Sequence, residues 1–162
     1  MYTVNLEKAR KALPAAAVKD FDDIVEQRVL GASKHIQMIG KMIEQIAVDS
    51  VEKNRTIAEM LERIQEVCQF FIHTRGEASQ AITNAVYLMT ARYRQHEERD
   101  IRTYAQRIID VKKQYERDCT AASETAVSYA VEIGNRMSAI MVYDYSSSVE
   151  AFLRKINGPK RI

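Results

Sequence analysis

Tryptophan is absent from this sequence, proline occurs twice and glycine five times in 162 residues. With so few breakers, long segments run uninterrupted, which argues against a turn-rich β fold and for helices. Cysteine is scarce too, with only Cys68 and Cys119. Two thiols without metal-ligand spacing exclude a disulfide scaffold or a zinc site. They read as reduced thiols buried in helices. No run of about 18 apolar residues exists, so no membrane-spanning segment is expected. Residues Met1 to Lys11 lack the apolar stretch of a signal peptide. Together these absences point to the cytoplasm. Charge of one sign is lacking as well: 24 Lys and Arg stand against 22 Asp and Glu, a net charge of +2. That balance gives no basic footprint for direct contact with nucleic acid.

What is present is apolar periodicity. Hydrophobic residues make up 46% and charged residues 28%, a composition that can build a core. After Pro14, which suits a first helical turn, apolar residues recur as Phe21, Val25, Val29, Ala32, Ile36, Ile39, Ile43 and Ile46. Steps of three and four predict one amphipathic helix over about residues 15–48. The polar stretch Asp49 to Asn54 reads as a turn. Asn54 or Thr56 caps the next helix, with Glu59 placed for a capping box. The inner face of that helix is Ile57, Met60, Leu61, Ile64, Val67, Cys68 and Phe71, and Arg75-Gly76 breaks it.

A third helix follows Gly76, with Ala78, Ala81, Ile82, Ala85, Val86 and Met89 inward. The charged run Arg92 to Asp100 makes a corner. The fourth helix, over 98–133, is the longest. Ile101, Tyr104, Ile108, Val111, Tyr115, Cys119, Ala122, Ala126, Tyr129 and Ile133 fall on one stripe, and Gly134 ends it. The period then changes. Ser138 to Tyr143 reads as a short buried strand, and Asp144 to Ser148 as a turn into a helix carrying Val149, Phe152, Leu153 and Ile156. Asn157-Gly158-Pro159 stops that helix.

Two stretches carry a resemblance. Thr74-Arg75-Gly76-Glu77-Ala78-Ser79-Gln80-Ala81-Ile82 resembles an Arg-Gly turn opening an alanine-rich helix. Ala139-Ile140-Met141-Val142-Tyr143-Asp144-Tyr145-Ser146-Ser147-Ser148-Val149 is similar to a strand–turn–helix joining a helical domain to a Rossmann-like one. Both belong to one superfamily: the alpha, beta and delta regulatory subunits of translation initiation factor 2B, ribose-1,5-bisphosphate isomerase and methylthioribose-1-phosphate isomerase. The resemblance covers roughly residues 55–162 and implies a helical N-terminal domain that ends where a Rossmann-like domain begins.

The resemblance further implies a phosphate contact at Arg75 and Gly76, and ligand contacts from Asp144, Tyr145, Ser146 and Ser147. The isomerases' catalytic cysteine position is Asp144 here, and their Arg-Pro-Thr motif has no counterpart. Each implied residue also has a plainer reading. Arg75 suits a helix C-terminus, where a cation meets the dipole. Asp144 and the serines suit helix capping. His35, His73 and His96 are scattered, with no ligand spacing around them. Tyr104, Tyr115 and Tyr129 read as core or interface residues.

The expected fold class is all-α or nearly so. An antiparallel helical bundle over residues 1–137 leads into a strand–helix connector over 138–162. The expected function is binding, with no catalytic residue, no metal and no cofactor. The chain contributes to a site for a phosphorylated sugar or nucleotide and to assembly, as a homo-oligomer or with related subunits. One alternative is a standalone protein–protein interaction module, using an exposed apolar stripe on the first helix with Met38 and Met42 beside it. A further alternative is part of an active aldose–ketose sugar-phosphate isomerase.

Overall fold

The structure, a computed structural model, describes residues 3–91, 99–143 and 146–156. It is an all-α helical bundle, and no strand is present among the described residues. The helices are α1 (Leu6–Lys11), α2 (Ala15–Val25), α3 (Ala32–Glu52), α4 (Ile57–Ile72), α5 (Arg75–Ala78), α6 (Gln80–Thr90), α7 (Ile101–Gly134) and α8 (Ser147–Leu153). They fall into two compact units, Met1–Tyr115 and Glu116–Ile162, with the boundary inside α7.

In the first unit α3 packs against α2, α4 and α6, and α4 also packs against α1 and α5. Apolar side chains from α1, α2, α3, α4, α6 and the first half of α7 make one core. Phe21, Phe70 and Phe71 sit at its centre with ring centroids 5.1–5.4 Å apart. Met38 and Met42 lie inside this core, so they do not form the exposed stripe expected beside the first helix. Cys68 is buried as expected, whereas Cys119 is exposed.

The single helix expected over 15–48 is two helices. The chain turns between Val25 and Ala32, through Gln27 at φ 57 and Gly31 at φ 94. Positive φ at both residues is incompatible with a continuing right-handed helix. The apolar spacing across the break (25, 29, 32) happens to stay helical, so periodicity alone could not reveal it. The short helix α1 also escaped the periodicity. It is started by Asn5, whose side chain accepts from the Lys8 amide at 2.9 Å.

Helix α4 begins as the sequence predicts. Thr56 accepts from the Glu59 amide at 3.2 Å, and Glu59 accepts from the Thr56 amide at 2.7 Å. This reciprocal pair satisfies two amides that a helix start otherwise leaves open. Asp100 starts α7 by accepting from the Thr103 amide at 2.8 Å. The corner expected at Arg92 to Asp100 falls largely outside the described residues.

The second unit departs most from expectation. Ser138 to Tyr143 forms no strand and is not buried: Met141 and Tyr143 are each 95% exposed. A lone strand leaves a full row of backbone groups unpaired, and no sheet edge exists among the described residues to receive it. The following helix does form, as α8. Phe152 packs against Gly134 so closely that a Cβ there would lie 2.7 Å from its ring. Val127, one heptad before Gly134 on the same side of α7, is also buried. On α7 the predicted stripe is buried at Tyr104 and Ile108, but Cys119, Ala122, Ala126, Tyr129 and Ile133 are exposed.

Candidate functional site

Arg75 is the first residue of α5 and is half-buried. Its Nη2 donates to the Ile24 carbonyl at 2.8 Å and to the Val25 carbonyl at 2.9 Å. Those carbonyls are among the last in α2, at the negative end of the helix dipole, and of the two only that of Ile24 also accepts a backbone bond among the described residues, from the Gln27 amide at 3.2 Å. Arg75 therefore caps a helix C-terminus, though not that of the helix it follows in the chain. The helix it caps is α2, about fifty residues earlier in the chain.

Gly76 is buried, and a Cβ on it would overlap the Thr83 hydroxyl of α6. A residue without a side chain thus lets the α5 backbone approach α6 closely. The Arg75–Gly76 turn is consequently pinned on two sides, by α2 through the guanidinium and by α6 through the glycine.

The corner between α2 and α3, next to Arg75's partners, concentrates charge. Asp23 accepts from Lys19 Nζ at 2.5 Å and from Arg28 Nε at 2.6 Å. These hydrogen bonds hold its carboxyl below the usual carboxylate range. Arg28 also pairs with Glu26, and the Arg28 and Val29 amides donate to the Asp23 carbonyl. His35 Nε2 lies 2.8 Å from the Val29 carbonyl. Gly31 starts α3 with open space where a side chain would be, and no side chain caps that helix start. The apolar spacing that predicts one helix over 15–48 hides this corner; Gln27-Arg28 followed by Gly31 is the signal that marks it.

Of the other implied ligand residues, Asp144 and Tyr145 lie outside the described residues. Ser146 precedes α8 in extended conformation, its side chain making no capping hydrogen bond, and Ser147 is the first residue of α8. Both are exposed. Arg75 and Gly76 belong to the first compact unit, and Ser146 and Ser147 to the second.

The second half of α7 carries a groove of about 480 Å³ lined by Ala121, Glu124, Thr125, Ser128, Tyr129 and Glu132. Among the described residues its lining offers two carboxylates, of Glu124 and Glu132, and three hydroxyls, of Thr125, Ser128 and Tyr129. No cluster of three or more His, Cys, Asp or Glu side chains that could hold a metal occurs among the described residues. No described helix is long and apolar enough to cross a membrane. No protein-family model, curated protein or solved structure matches this chain.

Proposed function

We propose that this chain is a non-catalytic helical domain similar to those of the initiation-factor-2B regulatory subunits and the sugar-phosphate isomerases. In this reading it contributes one side of a site for a phosphorylated sugar or nucleotide. The Arg75–Gly76 turn is the contributing segment. The observation that carries the reading is the pinned turn itself. The Arg-Gly dipeptide opens a short helix leading directly into α6, with Gly76 buried against Thr83 and Arg75 anchored at α2. A guanidinium fixed by its own fold loses little freedom when it meets a planar phosphate edge. The amide-rich helix starts that follow favour the same anionic chemistry.

The protein purified from its own cells, at its natural length, is the material for the test. Ribose phosphates and AMP at millimolar concentration should raise its melting temperature, while ribose 1,5-bisphosphate incubated with it should remain unconverted. No thermal shift with any of these ligands, or measurable isomerisation, would contradict the proposal.

A second reading is favoured by α7. Residues 117–126 are all exposed, about three helical turns. Helices of that length draw most of their stability from packing. A domain that works by assembly would supply the missing cover.

A further inference from the structure

Helix α7 is buried towards both ends and exposed in between. Tyr104, Ala105, Ile108, Ile109 and Lys112 are buried, and Lys112 Nζ donates to Glu44 on α3 at 3.0 Å. The next buried residue is Val127. Between them Tyr115 and Glu116 are half-buried and the rest are exposed, without a break from Arg117 to Ala126. The boundary between the two compact units falls at the head of that stretch.

The stretch has little helical strength of its own. It carries Asp118, Cys119, Thr120, Ser123 and Thr125, with Ser128 just beyond, each a poorer helix former than alanine or the long unbranched side chains. Three hydroxyls turn back on the backbone. Thr120 donates to the Glu116 carbonyl at 2.9 Å, Thr125 to the Ala121 carbonyl at 2.8 Å and Ser128 to the Glu124 carbonyl at 2.9 Å. Each shares the carbonyl that its own amide uses in the helix, which weakens and bends a helix slightly.

A helix this short is marginal in water unless packing holds it. Packing holds what lies on either side: Ile108 and Ile109 belong to the core of the first unit, and Phe152 lies against Gly134 in the second. Opening 117–126 exposes little new apolar surface, whereas opening the start of α7 empties part of that core. The least costly opening in α7 is therefore internal.

We infer that residues 117–126 are a helix–coil switch built into α7. The stretch opens while the buried segments on either side stay folded, so α7 is a stiff rod when closed and a tether when open. Closed, the stretch spans about 15 Å; open, it has no fixed span. The switch needs neither a ligand nor a partner, and so stands apart from the ligand and assembly readings.

Amide hydrogen exchange of the natural-length protein, followed by NMR in zero and low urea, supplies the test. Relative to their intrinsic rates, the amides of 117–126 are expected to exchange roughly a hundredfold faster than those of Ile108 and Ile109, yet slower than an unstructured peptide. Their rates should hardly change with urea, as suits an opening that exposes little surface, while those of Ile108 and Ile109 should climb steeply. Thr120→Ala, Ser123→Ala and Thr125→Ala together, all at exposed positions, should slow exchange in the stretch about tenfold. Equal rates and equal urea dependence along α7 would overturn the inference, since the helix would then open as one piece. Exchange at the unstructured rate would overturn it as well, because no closed state would exist. So would a triple variant that exchanges no more slowly than the original protein.

Discussion

Arg63 Nη1 on α4 donates to Asp49 Oδ2 on α3 at 2.7 Å, and both side chains are almost fully withdrawn from solvent. The same guanidinium donates through Nε to the Ala12 carbonyl at the end of α1, at 2.8 Å, and through Nη1 to the Ser50 hydroxyl. One side chain thus ties three helices together at a corner of the first unit. The planar fork of arginine allows this; a point-like ammonium cannot reach three acceptors in fixed directions.

Removing that fork leaves Asp49 buried with one fewer cation. Arg63→Ala is expected to cost about 3 kcal/mol. Arg63→Lys should recover less than half of the loss. Urea unfolding of the three proteins checks both statements, and a lysine variant as stable as the original would contradict the shared-fork account.

Acid should weaken the first unit. Hydrogen bonds from Lys19 and then Arg28 lower the Asp23 carboxyl, and the hydrogen bond from Arg10 lowers that of Asp22. Burial pushes Asp49 upward, but hydrogen bonds from Lys53 and Arg63 outweigh it and hold it low. A carboxyl that is more acidic folded than unfolded stabilises the fold at pH above its unfolded value. The contribution is lost as pH falls through the folded value. Melting temperature should therefore be flat from neutrality to about pH 5 and fall steadily below about pH 4. Asp49→Asn should lower the plateau and make the acid decline shallower. A melting temperature that rises on acidification would refute this assignment.

Gly76 makes a prediction with its own rescue. Gly76→Ala should cost about 1–3 kcal/mol, because the new methyl overlaps the Thr83 hydroxyl. Adding Thr83→Ala removes the obstructing atom, so the double variant should recover at least half of the loss. Strict additivity of the two changes, in a double-mutant cycle, would show that the clash is not the cause.

Arg75 is expected to matter without any ligand. Arg75→Met removes both hydrogen bonds to the end of α2, and a loss of about 1–3 kcal/mol should follow. An unchanged melting temperature would mean that solvent satisfies those carbonyls equally well.

Local signals were the legible part of this fold. Thr56 and Glu59 lie three residues apart, and their capping box could be read directly. The Arg75–Gly76 break and the long run of α7 were equally visible. Long-range features were not. Nothing near Arg75 in sequence points to Ile24 and Val25. The break between Val25 and Ala32 was hidden by apolar residues that kept helical spacing through a non-helical turn. Periodicity also reports which residues share a side of a helix, not what covers that side. It therefore could not separate the buried part of the α7 stripe, at Tyr104 and Ile108, from the exposed part at Tyr129 and Ile133. The apolar composition of Ser138–Tyr143 predicts a strand but cannot supply the neighbouring edge a strand requires.

The most direct measurement is calorimetric titration of AMP and ribose 5-phosphate into the natural-length protein, beside Arg75→Lys. The account predicts saturable heat with at least one ligand. Arg75→Lys should weaken that binding roughly tenfold by losing the planar fork. No binding at millimolar ligand, or binding that the substitution leaves unaltered, would contradict it.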